Sequence, residues 1–247
     1  MKTKLLIIDP QNDFTDPKGS LYVKGAEEAI SNICKFIDEI NPSDIIISQD
    51  THQKYNIGFA DFWDIPELKP FDKIEKFYIL DQIAKPRYLN PERAIDFYKQ
   101  FENYPSTSLT IWPYHCLEGS WGWCFPEELV ESLNRWSTRN KKIYEVYRKG
   151  VIPEIEAYSI IPSISTDYLQ NPYSLLLNSN DYYYLYIAGF CKDICVSESI
   201  KSIYKLGLYK NRLVFLDNCM ATLDESSENL KIYKDLEISW GAKTENV

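Results

Sequence analysis

The stretch that most constrains this chain is residues 182–207, YYYLYIAGFCKDICVSESIKSIYKLG. Tyr182 to Phe190 is an unbroken aromatic and aliphatic run ending at a glycine-containing corner, which predicts a strand buried on both faces. From Asp193, Ile200, Ile203 and Tyr204 recur at helical spacing, and Gly207 falls where a helix end favours glycine. Cys195 then lies in the first turn of the helix. There the unpaired N–H groups and the helix dipole favour a thiolate and can receive a developing oxyanion. A buried packing cysteine accounts for the same position, so the remaining chain has to decide between the two.

The other apolar runs extend the pattern. Lys4–Ile8 predicts a central strand with Asp9 at its carboxyl end, where Pro10 stops ladder pairing. Residues 26–40 place Ile30, Ile33, Cys34, Ile37 and Ile40 on one helical stripe, closed by Asn41-Pro42. Asp44–Asp50 predicts a second buried strand, again ending on an acid. Residues 53–111 are irregular, with prolines at 66, 70, 86, 91 and 105 and one helix predicted over Glu92 to Phe101. A structureless loop of that length is suspect, so about 59–111 is expected to be an inserted lid or subdomain within a single domain, 1–247. A Trp- and Gly-rich loop, IWPYHCLEGSWGW, follows. Further expected elements are a helix over 127–136, a strand over Lys142–Val146 leading to Lys149-Gly150, and a polar connection over 151–181. Beyond the Cys195 unit come a strand over Arg212–Leu216 ending at Asp217, a helix over 225–237 and a last short strand near 237–240. Strands alternating with helices predict an α/β fold in three layers, a mostly parallel central sheet with helices on both faces. In such sheets ligands bind beyond the carboxyl ends of the strands, where Asp9, Asp50, Lys149 and Cys195 would converge.

Composition narrows the function. A net charge of -9 argues against nucleic acid as a partner, because phosphate binding needs a basic face. No apolar run is long enough to span a membrane. The apolar run after the basic start MKTK breaks at Asp9, too short for a signal peptide, so six cysteines point to free thiols in a reducing, cytoplasmic setting.

Asp9, Lys149 and Cys195 supply a base, a cation and a thiol. A free thiol is mostly protonated at neutral pH, so a neighbouring carboxylate can take its proton while the lysine stabilises the resulting charge. An ordinary ion pair between Asp9 and Lys149 is the bland alternative. Asp50 and His52 form a D-x-H pair whose side chains point the same way on extended backbone. His115, in WPYHC, is the only other histidine. One carboxylate and two imidazoles suit zinc, iron or manganese with positions left for water.

The segments IIDPQNDF with the later GSL, QDTH, WPYHC-x-x-G, KG…AYS and GFCKDICV resemble the nicotinamidase (pyrazinamidase) branch of the isochorismatase-like cysteine hydrolases. The resemblance implies an Asp–Lys–Cys triad at Asp9, Lys149 and Cys195, oxyanion donors at the N–H groups of Cys191 and Cys195, and a cis peptide before Cys191. It implies a pyridine wall of Phe14, Leu21, Trp112 and Tyr158, with Gln11, Asn12 and Asp13 shaping the loop around the base. It also implies a divalent metal, zinc before iron or manganese, on Asp50, His52 and His115. The expected activity is hydrolysis of nicotinamide through a cysteine thioester, in NAD salvage. A carbamoyl or ureido C–N hydrolase and a non-catalytic ligand-binding relative are the alternatives. Asn56 stands where the family carries a second metal histidine, and its amide oxygen is a weaker ligand. Lys192 replaces a common small hydroxyl residue, and the insertion either covers the pocket or builds a homo-oligomer interface.

Overall fold

The computed structural model describes residues 2–102, 106–161 and 183–247. Its elements are β1 (Lys2–Ile8), a single helical turn α1 (Asn12–Thr15), α2 (Ala26–Ile40), β2 (Asp44–Asp50), β3 (Lys73–Glu75) and α3 (Lys76–Leu80). They continue with α4 (Ala94–Glu102), β4 (Ser108–Thr110), α5 (Glu127–Asn140), β5 (Glu145–Lys149) and β6 (Tyr183–Gly189). The chain ends with α6 (Ser197–Lys205), β7 (Leu213–Met220), α7 (Lys231–Trp240) and β8 (Lys243–Glu245). Six strands form one sheet in the order β5-β2-β1-β6-β7-β8, and every pairing is parallel.

The sheet is buried from both sides because its central strands are apolar at consecutive positions. On β1, Leu5 and Ile7 face a core shared with Ile30, Ile33 and Ile37 of α2 and Leu129, Leu133 and Trp136 of α5. Leu6 and Ile8 face the opposite core, with Ile200 and Ile203 of α6 and Leu236 and Trp240 of α7. Residues between β2 and β5 build a third core of their own, in which Phe62, Trp63, Phe97 and Phe101 are fully buried. There β3 and β4 pair antiparallel, apart from the main sheet.

Several boundaries differ from those expected. The strand predicted over 142–146 lies at Glu145–Lys149. Register with β2 decides this, pairing Asp50 with Lys149, and leaves Ile143 at 83% exposure. β7 runs past Asp217 to Met220. The helix predicted to stop at 136 continues to Asn140. The short strand expected near 237–240 is instead the end of α7, where Leu236 and Trp240 pack into the core. Gly241, at φ 63°, ends that helix, and β8 follows. Tyr182, and the part of the 151–181 connection beyond 161, lie outside the described residues. Among the described residues no helix is long and apolar enough to cross a membrane.

Trp136 ties α5 to the turn before β2. It is fully buried, and its Nε1–H donates to the Pro42 carbonyl at 2.8 Å. Replacing it with alanine is expected to lower unfolding free energy by about 3–5 kcal/mol, the usual cost of deleting a buried large aromatic. A urea titration showing less than about 1 kcal/mol would contradict this packing.

Candidate active site

Three strand ends deliver the polar groups. Asp9 follows β1 directly, with φ 47°, a left-handed conformation uncommon for a residue with a side chain. Ser48 of β2 holds it there. The Asp9 N–H donates to the Ser48 carbonyl at 3.2 Å and to its Oγ at 3.0 Å, and that hydroxyl donates to Asp9 Oδ1 at 2.6 Å. Lys149, at the end of β5, has three N–H donors. Its Nζ lies 2.8 Å from Asp9 Oδ2, 3.0 Å from Asp50 Oδ1 and 2.9 Å from the Ala157 carbonyl. Cys195 Sγ stands 3.6 Å from the same nitrogen.

Cys195 sits in a wide, π-type turn, Lys192–Val196, that precedes α6, one step before the first α-helical turn expected for it. The Cys191 carbonyl accepts the N–H groups of Ile194 and Val196 at 3.0 and 3.2 Å, which draws the turn tight against the end of β6. The Phe190–Cys191 peptide is cis. Gly189 is required just before it. Its φ is +121°, and a Cβ there would stand 2.1 Å from the Ile8 carbonyl oxygen of β1.

Burial governs the charges. It pushes the Cys195 thiol well above the ordinary range, and the Lys149 cation offsets this only in part. Burial therefore favours the thiol over the thiolate, against the pull of Lys149. Burial also raises the Asp9 carboxyl, against the pull of Lys149. Burial opposes the charge on Lys149, but the Asp50 and Asp9 carboxylates hold it well above its usual range. Asp50 stays ionised against burial, because His52 and Lys149 hold it well below its usual range. Glu156, on the pocket wall, is pushed up to about 8, chiefly by burial.

One Asp50 oxygen serves Lys149 and the other faces the histidines. Asp50 Oδ2 lies 2.9 Å from His52 Nε2 and 3.4 Å from His115 Nε2. The ligand atoms of the three residues lie within 4.8 Å of one another. His115 Nδ1 stands 2.8 Å from the Pro113 carbonyl, which can only accept, so Nδ1 carries the proton. Its Nε2 is the ring atom turned toward the Asp50 carboxylate oxygen. Burial lowers His52 below its usual range, which favours the neutral ring that a metal ligand needs, and its Nδ1 is buried without a partner. This donor set fits a divalent cation. Gly150, at φ +76°, leaves room beside it, since a Cβ would come within 2.8 Å of the His52 ring.

A cavity of about 540 Å³, counted to its mouth, joins these groups. Its wall includes Phe14, Leu21, Trp112 and Tyr158, together with Asn56, Lys149, Cys191 and Cys195. Trp112 Nε1–H donates to the Tyr158 hydroxyl at 3.0 Å. The Asn56 side-chain Oδ1 accepts the Gly58 N–H at 2.9 Å. Gln11 clasps the backbone of Asp50, donating to its carbonyl and accepting its N–H, each at 2.7 Å. Asp13 accepts the N–H groups of Ser20 and Cys116 at 3.0 and 2.7 Å, and Asn12 donates to the Trp121 carbonyl at 2.9 Å. Sequence reasoning passed over Ser48, whose signal was a lone hydroxyl in the apolar run DIIIS. It also passed over Glu156 and the Ala157 carbonyl, for which no local pattern exists.

No family model matches the chain. Over 238 residues it is 25% identical to the nicotinamidase of Saccharomyces cerevisiae, spanning 96% of this chain and 95% of that protein. It is 27% identical over 201 residues to the Schizosaccharomyces pombe nicotinamidase, spanning 79% of this chain and 73% of the relative. Yeast nicotinamidase bound to the inhibitor nicotinaldehyde superposes with a TM-score of 0.69 at 21% identity, over 100% of both chains. The pyrazinamidase of Pyrococcus horikoshii in complex with zinc superposes at 0.60 with 18% identity, again over 100% of both. The parallel six-stranded sheet with its flanking helices is the isochorismatase-like α/β fold. Both curated relatives the chain resembles are nicotinamidases.

A divalent ion on Asp50, His52 and His115 has a thermal signature, since a ligand bound only by the folded state raises its melting temperature. Zinc or manganese is expected to raise the wild-type Tm and leave His115→Ala unmoved. Equal shifts in both proteins would place the ion elsewhere.

Proposed function

We propose that the chain hydrolyses nicotinamide to nicotinate and ammonia through a thioester on Cys195. The observation that carries this is the Lys149 ammonium, shared at contact distance by Asp9, Asp50 and Cys195 beside an aromatic-walled pocket. The relatives it resembles supply the substrate class, since those proteins are nicotinamidases.

In this scheme Asp9, made more basic by burial, takes the Cys195 proton as Sγ bonds to the carboxamide carbon. Lys149 stays charged throughout and balances the carboxylate and sulfur. The N–H groups of Cys191 and Cys195 hold the oxyanion. Asp9 returns the proton to the amine, the C–N bond breaks and ammonia leaves. Water then attacks the thioester carbonyl while Asp9 takes a proton from it. Cleavage of the C–S bond restores the thiol and releases nicotinate. Phe14, Leu21, Trp112 and Tyr158 sandwich the ring and exclude bulk water, which fixes the carboxamide near the sulfur. Asp50, His52 and His115 would hold a divalent ion, zinc first, with Asn56 as a weak further donor. When bound, that ion would supply Lewis acidity to the pyridine ring. In the same reading residues 1–247 act as one domain, with about 59–111 inserted between β2 and β5.

Cys195→Ala is expected to cut ammonia release from nicotinamide by about a thousandfold or more while the protein stays folded, because the acyl bond forms on its sulfur. Activity within about tenfold of wild type in pure, folded variant would rule out the thioester route. Asp9→Asn removes the proton acceptor and should fall nearly as far.

A further inference from the structure

We infer that Gln100, on α4 of the 59–111 segment, is a positioning residue that aims Lys149 at Cys195. Its side chain is buried, at 5% exposure. Nε2 donates to the carbonyls of Glu154 at 2.8 Å and Phe97 at 3.0 Å, and Oε1 accepts the N–H of Glu156 at 2.9 Å. The amide thus pairs with residues 154–156 at two points, as a neighbouring strand would, using the device by which Gln11 holds Asp50. Three residues beyond Glu154, the Ala157 carbonyl accepts an N–H of Lys149.

That bond decides where the ammonium points. Its other hydrogen bonds go to Asp50 and to the sulfur, and the Asp9 carboxylate stands 2.8 Å away, so two carboxylates compete with the sulfur for it. A carbonyl held in place on the remaining side fixes the direction of the nitrogen and keeps Sγ at 3.6 Å. The base of the clamp is firm. Phe97 and Phe101 on the same helix are fully buried among Phe62 and Trp63. Arg93 adds a second tie, its Nη1 standing 2.7 Å from Glu154 Oε2. A segment with its own core thus holds the loop that carries the Ala157 carbonyl.

The kinetic part of the test rests on the amide-hydrolase reading; the chemical part does not. Wild type and Gln100→Met, an unbranched replacement of similar length, are compared at a temperature where both are folded. The readouts are kcat on nicotinamide and the rate of iodoacetamide alkylation at Cys195, followed by peptide mass spectrometry. Gln100→Met is expected to lower kcat about tenfold. It should also slow alkylation about threefold or more, as the sulfur loses its cation. Gln100→Glu, which keeps the acceptor for Glu156, should recover part of both. Phe97→Leu, a cavity in the same helix, should lower Tm and leave Cys195 reactivity unchanged. Wild-type alkylation in folded Gln100→Met overturns the proposal, as does equal slowing in Phe97→Leu. Should Gln100→Met not fold, Gln100→Glu is judged by the same alkylation rate. If wild type releases no ammonia yet alkylation still depends on Gln100, the positioning role stands and the amidase reading fails.

Discussion

A single buried ammonium organises this molecule. Lys149 is 3% exposed and meets two carboxylates, a carbonyl and a sulfur, so every donor it has is used. Burying a charge is costly unless it is paired and hydrogen-bonded, and leaving one partner behind is costlier still. The cluster therefore demands that β1, β2, β5 and the turn after β6 arrive in one relative position. A one-residue slip of β5 against β2 would point Lys149 out of the site and break the pairing of residues 50 and 149.

Asp50 joins two chemistries that could have been separate. One carboxylate oxygen steadies the lysine and the other faces the two histidines. Any change in charge at the histidines is felt at Lys149 through that carboxylate, and beyond it at Cys195. With Asp9 and Asp50 against one lysine, the pocket carries an excess of negative charge. A divalent cation would more than offset it, and the raised Glu156 carboxyl avoids adding to it.

The segment between β2 and β5 belongs to this arrangement despite packing around its own aromatic core. Its helix α4 reaches residues 154–156, and Ile57 donates to the Pro153 carbonyl at 2.8 Å from the other side. The loop bearing Ala157 and Tyr158 is thus held from two directions.

Much of this was legible in the amino-acid order alone. Apolar runs at Lys4–Ile8, Asp44–Asp50 and Tyr182–Phe190 marked the central strands, because a strand covered on both faces has no polar side to display. Acids at two strand ends, a cysteine at a strand-to-helix corner and the D-x-H pair singled out the residues that now stand together. Edge elements were less legible. KIYEV shows an apolar rhythm, yet pairing with β2 and the burial of Lys149 set the strand three residues later. The chain end at 237–240 reads equally well as strand or helix until Trp240 finds its core. The thiol's protonation, the Ser48 hold on Asp9 and the Gln100 clamp lay beyond the sequence altogether. Each depends on groups about 40 or more residues apart meeting in a low-dielectric interior, and only the packed fold decides which polar atoms share that space.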